Sequence, residues 1–176
     1  MVKTIPLVGL KKEEKEEVKR ESLILEALNH PNITKFERQF KDKRNNYNIV
    51  MEYVNNGTLE DILVARKGSG IKLSEDQILN YLTQLCLALK HCHDRKILHR
   101  DIKGDNIFLN SRDIVKLGDF GVSKILAATK DKCGTMIGTP ENMAPEVLNS
   151  KQYTSKCDIW SLGILVYRMT MLEAPW

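Results

Sequence analysis

The chain has 176 residues, 42% of them hydrophobic and 28% charged, the length and balance of one globular domain able to bury a core, which excludes a fibrous or disordered chain. Its net charge of +4 is mild and its Lys and Arg are interleaved with acids, as between Lys11 and Arg20, so no nucleic-acid partner is indicated. The sequence contains no apolar run of about eighteen residues and no signal-peptide pattern, so no membrane partner is expected. Cys86, Cys92, Cys133 and Cys157 form no Cys-x-x-Cys pair, which argues against a metal knuckle or a disulfide framework and for reduced thiols in a cytoplasmic setting.

Val2-Lys3-Thr4-Ile5 alternates apolar and polar side chains, which predicts a strand that Pro6 ends or confines to an edge. Lys11 to Leu28 predicts a helix, with Val18, Leu25 and Leu28 on or near one apolar stripe and Lys/Glu pairs on a solvated face. His30-Pro31-Asn32 stops it, because the residue before proline disfavours helical geometry. Strands are predicted near 33–40 and 47–53 around a polar turn at 41–46, followed by a turn at Asn55-Asn56-Gly57. Gly68-Ser69-Gly70 reads as a flexible loop, and not a phosphate loop, since no Gly-x-Gly-x-x-Gly follows a strand there. Ser74 to Gln77 is a capping box opening a helix to about His93, with Ile78, Leu82, Leu85 and Leu89 as its buried stripe. A last apolar-rich helix is predicted from Ser155 to Leu172.

The most informative stretch lies between these helices. Ile97 to Asn106, ILHRDIKGDN, holds two carboxylates, an amide, two cations and an imidazole just ahead of the strand-like Ile107-Phe108-Leu109. Polar groups pinned between a helix and a strand lose hydration, so a functional site explains them better than burial does. Asp119-Phe120-Gly121 follows thirteen residues after Asn106, at the end of the strand-like Val115 to Gly118. It places a carboxylate, an oxygen donor of the kind Mg²⁺ takes, at the end of that strand, and a glycine where the backbone must turn. Ala144-Pro145-Glu146 closes the polar segment beyond it.

These three ordered motifs resemble a eukaryotic Ser/Thr protein kinase, and Leu85 to Leu109 resembles the NIMA-related kinases. The resemblance implies an α+β, two-lobed fold. Its small lobe, about 1–53, would be an antiparallel sheet with one helix, lacking the glycine-rich loop; its mainly helical large lobe, about 54–176, would lack its last helices. It implies Asp101 as base for the acceptor hydroxyl, Lys103 beside the transferred phosphate, and Asn106 and Asp119 as metal ligands. Lys3 would grip the α- and β-phosphates of ATP and pair with Glu21, eighteen residues on. Met51 would be the gatekeeper, the backbone of Glu52 and Val54 would meet adenine, and Phe108 would also line the ATP site. An acid near the ribose is common where Thr58 stands, which leaves that contact without its usual partner.

Also by resemblance, Thr135 is a phosphorylation site whose phosphate Arg100 receives, and Thr139 contacts Asp101 and Lys103. Asp158 would bind the catalytic-loop backbone, and Leu25, Phe36, His99 and Phe120 would stack as a column joining the lobes. ATP and Mg²⁺ are the implied cofactors, and protein substrates carrying Ser or Thr the implied partners. Cytoskeletal or centrosomal partners, and a cytoskeletal or nuclear location, are implied by the family alone. A different class of reading is a non-catalytic interaction or scaffold protein with a degraded kinase fold; the survival of Lys3, Glu21, Asp101, Asn106 and Asp119 favours the enzyme. A basic nucleic-acid binder is a third, marked by a steep salt dependence of binding.

Overall fold

The computed structural model describes residues 1–120, 124–125, 140–149 and 154–176. Gly121, Cys133, Thr135 and Thr139 lie outside the described residues.

β1 (Val2–Pro6), β2 (Phe36–Lys41) and β3 (Asn46–Met51) form an antiparallel sheet in the order β1-β3-β2. Pro6 falls at the end of the edge strand β1, opposite Asn46, where its missing N–H interrupts no ladder. The turn joining β2 and β3 is organised by Asp42, whose carboxylate accepts from the amides of Arg44 and Asn46, while Asn45 takes the left-handed φ of 63°, a conformation asparagine tolerates well. α1 (Lys12–Ala27) packs on this sheet, as its stripe predicts: Ile24, Leu25 and Leu28 are buried, and the Lys/Glu face is exposed.

The rest is mainly helical. α2 (Leu59–Ser69) is a helix where the sequence suggested only a turn and a flexible loop. Thr58 accepts from the Asp61 amide and Asp61 accepts from the Thr58 amide, a complete capping box. Gly68 and Ser69 form its last turn and Gly70, at φ 70°, is the left-handed cap that ends it. α3 (Glu75–Asp94) is the central buried helix, with Leu85 and Leu89 joined in the core by Tyr81, Ala88 and Cys92. β4 (Ile97–Leu98), β5 (Ile107–Leu109), β6 (Val115–Leu117) and β7 (Lys124–Ile125) form two small antiparallel pairs, β4-β7 and β5-β6. α4 (Pro145–Leu148) is one short turn, and α5 (Ser155–Met171) packs on α3.

One apolar cluster runs unbroken from Ile24 and Leu25 of α1 through Ile49, Met51 and Phe120 to Leu85 of α3 and Leu162 and Met169 of α5. Each such side chain taken fully out of water contributes about 1.5–3 kcal/mol. The continuity holds the sheet with α1 against the helical part, so side chains from both meet at fixed distances. No described helix is long and apolar enough to cross a membrane.

Candidate active site

The stretch from His99 to Asn106 leaves β4 as a loop and ends in a 3₁₀ turn at Gly104–Asn106, and α5 holds its start. Asp158, 1% exposed at its side chain, accepts from the His99 amide at 3.1 Å and the Arg100 amide at 2.8 Å. His93 Nε2 lies 2.7 Å from the same carboxylate. A buried carboxylate needs donors in place of the water it loses, and these donors come from α3 and the loop. They also sustain the loop's shape: Arg100 has a left-handed φ of 73°, a conformation that costs a non-glycine residue about 1–2 kcal/mol.

His99 is fully buried, and burial pulls its pKa down against the opposing pull of Asp158 and of the Gly118 carbonyl. The neutral ring then donates from Nε2 to the Gly118 carbonyl at 2.9 Å and accepts the Asp101 amide at Nδ1 at 3.3 Å. It packs edge-on against Phe120 with ring centroids 4.8 Å apart. His99, Phe120 and Leu25 are all buried in contiguous core with Phe36 packed against it. One imidazole therefore ties the loop that carries Asp101 to the strand end that carries Asp119.

Asp101, Lys103 and Asn106 converge. Lys103 Nζ lies 3.0 Å from Asp101 Oδ2. Asn106 Nδ2 donates to the Asp101 carbonyl at 2.7 Å and to Asp101 Oδ2 at 2.8 Å. The amide nitrogen is committed to Asp101, so the amide oxygen, the atom a cation would take, is turned away from it. The Gly118 amide donates to the Asn106 carbonyl at 2.9 Å, which brings Asn106 beside Asp119. Gly118 is required there, because a methyl would stand 2.8 Å from the Phe108 ring and 3.1 Å from Thr34 Cγ2. Asp119 itself has a left-handed φ of 53° and a side chain 47% exposed.

Lys3 completes the constellation from the sheet. Its Nζ donates to Glu21 Oε1 and to Asp119 Oδ1, both at 2.8 Å. Burial pulls the Lys3 ammonium down, but the hydrogen bonds to Asp119 and Glu21 outweigh it and hold the group charged. Burial also pushes the Glu21 carboxyl up, against the pull of Lys3. A cation is thus fixed between a buried anion on α1 and an accessible anion at the end of β6.

Met51 is buried at the end of β3, opposite Phe36. The Glu52 amide donates to the Lys35 carbonyl at 2.9 Å, which leaves the Glu52 carbonyl, and not its amide, for a ligand. Its side chain pairs with Lys116 of β6 at 2.9 Å. Val54 is half-buried beyond it. Phe108 bridges to Thr58 and pairs with Lys116, and Thr58 serves as the N-cap of α2. Sequence reasoning missed three supports. The Lys116–Glu52 and Arg168–Glu60 pairs join residues with no shared periodicity, and no local pattern could have found them. The His93–Asp158 contact had a faint signal, a polar residue in the last turn of a helix whose neighbours are buried.

The sequence pattern of the protein kinase domain matches residues 1–176, the whole chain. The chain belongs to the protein kinase family. Curated relatives are serine/threonine-protein kinases: mouse Nek1 is 43% identical over 98% of this chain and 14% of its own length. Human Nek5 is 43% identical over 99% of this chain and 24% of its own length, and human Nek2 is 40% identical over 92% and 38%. They identify the domain as NIMA-related. The chain spans less than two fifths of these relatives' length. In this kinase domain the loop from His99 to Asn106 meets the end of β6 at Gly118, and the sheet lysine meets the adjoining Asp119.

Proposed function

We propose that this chain forms the Mg²⁺- and ATP-dependent transfer site of a protein kinase that phosphorylates Ser or Thr hydroxyls of protein substrates, its small lobe spanning about 1–53 and its large lobe about 54–176. The observation that carries the reading is two side-chain clusters, Asp101 with Lys103 and Asn106 and Lys3 with Asp119, each held by contacts of 2.7–3.0 Å and joined where the Gly118 amide donates to the Asn106 carbonyl at 2.9 Å. The donor set fits the metal. One carboxylate and one amide oxygen are hard ligands, and Mg²⁺ takes one or two such protein ligands and completes its shell with phosphates and water. When bound, Mg·ATP supplies the phosphoryl group and neutralises its charge.

The protein's own residues do the rest. Asp101 accepts the acceptor hydroxyl's proton at its carboxylate. The Asn106 amide fixes that carboxylate, and Lys103, 3.0 Å from it, offers a cation where negative charge on the transferred group grows. Lys3, braced by Glu21, would hold the α- and β-phosphates. Glu52 and Val54 would offer backbone groups to the base beneath Met51, with Phe108 as part of the floor. Asp119 is bound to Lys3 in this structure, so the cation that would hold the phosphates and the carboxylate that would hold the metal already stand side by side, which lowers the cost of ordering them.

Acceptor choice tests the reading. Incubated with γ-labelled ATP, Mg²⁺ and matched peptides differing only in a central Ser, Thr or Tyr, the protein carrying this chain is expected to label Ser and Thr, with Tyr at background. Exclusive tyrosine labelling, or none on any protein or peptide acceptor, would overturn it.

A further inference from the structure

α5 reaches the Asp101 loop twice. Near its start Asp158 accepts the amides of His99 and Arg100. Near its end Arg168 Nη2 donates to Glu60 Oε1 at 2.6 Å, about 15 Å further along the axis at 1.5 Å per residue. Both partners stand where helix dipoles favour them, Glu60 in the first turn of α2 and Arg168 in the last turn of α5.

The α2 N-terminus is fastened in turn to the strand that follows the loop. The Asn56 amide donates to the Leu109 carbonyl and the Leu109 amide to the Gly57 carbonyl, each at 3.0 Å. Glu60 then meets the loop directly. A methyl at Gly104 would stand 2.5 Å from Glu60 Oε2 and 3.0 Å from its amide nitrogen, so the bare Cα of Gly104 rests on that residue. Glu60 Oε2 is buried and has no hydrogen-bond partner among the described residues. The carboxylate is therefore held by Arg168 on one side and wedged against Gly104 on the other. Removing Arg168 would leave the half-buried Glu60 carboxylate uncompensated and free to move toward water, taking with it the part of the surface under Gly104 that its Oε2 forms. Gly104 lies between Lys103 and Asn106, both of which touch Asp101.

We propose that Arg168 is a positioning residue for phosphoryl transfer: through Glu60 it fixes Gly104, and so sets Lys103 and Asn106 against Asp101. The inference rests on the transfer site described above and adds to it a second anchor on α5, independent of Asp158.

The test is Arg168→Met in the protein carrying this chain, read by amide hydrogen exchange and by steady-state kinetics. Exchange across residues 102–109 is expected to quicken while residues 81–92 of α3 keep their protection. The kcat is expected to fall by about ten- to a hundredfold, the scale of a small misplacement of reacting groups, with KM for ATP within about twofold. Arg168→Lys keeps the charge but not the planar fork and should retain part of both. Glu60→Arg with Arg168→Glu should restore both beyond either single change. Unchanged exchange at 102–109 in Arg168→Met and Arg168→Lys would overturn the clamp, and this readout does not depend on activity. Loosened exchange with unchanged kcat would overturn the positioning role. Absence of transfer by the unsubstituted protein would instead overturn the functional reading, leaving exchange alone to decide the clamp.

Discussion

Asp101→Asn is expected to cut phosphate transfer by about 10²–10⁴-fold, the range a positioned base contributes, while nucleotide affinity stays within about threefold. The asymmetry follows from where Asp101 sits. Among the described residues its carboxylate meets Lys103 and Asn106, while Lys3 pairs with Glu21 and Asp119. Asparagine keeps the shape and can still accept the Asn106 amide, so the loop should hold its form. What disappears is the carboxylate proposed to take the hydroxyl proton. Single-turnover transfer measured beside calorimetric ATP binding reads the two quantities separately. An equal loss of affinity would place Asp101 among the nucleotide contacts.

Lys3→Met is expected to lower kcat by about 10²–10³-fold, the size seen when one preorganised charge is withdrawn from a transition state. Two ion pairs fail at once. Glu21, only 6% exposed at its side chain, loses the cation that opposes its burial, and Asp119 loses the contact that sets its Oδ1. Methionine fills the volume of the lysine stem, so the fold should persist, and the change isolates the charge. Lys3→Arg is the informative companion: it keeps the charge but presents a planar fork in place of a compact ammonium, and should recover Glu21 pairing more fully than transfer. Turnover unaltered in Lys3→Met would show that Lys3 is not the lysine that aligns the phosphates.

Short-range patterns carried most of the fold. α1 and α3 begin and end within a residue of the segments their stripes and caps mark, and α5 does the same. α2 was misread because Gly68-Ser69-Gly70 dominates its end, although Gly68 and Ser69 are only its final turn. The better signal was the Thr58-to-Asp61 capping box, which had the same form as the one recognised at Ser74. The strand predicted from Ile33 is shorter than expected: Ile33 bridges to Leu117 instead, and β2 starts at Phe36.

Within the site, Asp101, Lys103, Asn106 and Asp119 were legible because their motifs are local and their order is specific. Lys3 and Glu21 needed the resemblance, since a Lys and a Glu eighteen residues apart have no shared period; the 2.8 Å pair is a tertiary fact. Lys3 to Asp119 spans 116 residues and Arg168 to Glu60 spans 108. Contacts at that separation depend on how the core packs, and no window of sequence contains them.

The metal requirement tests the central claim most directly. Transfer of the γ-phosphate to a Ser or Thr peptide is measured against Mg²⁺ concentration, from excess chelator to saturation, for the unsubstituted protein and for Asn106→Ala. The expected result is no transfer in chelator, full recovery on adding Mg²⁺, and a several-fold higher Mg²⁺ requirement in Asn106→Ala, because one of the two hard oxygen ligands proposed for the metal is gone. Transfer that persists in chelator, or an Mg²⁺ requirement indifferent to Asn106, would contradict a metal held between Asn106 and Asp119.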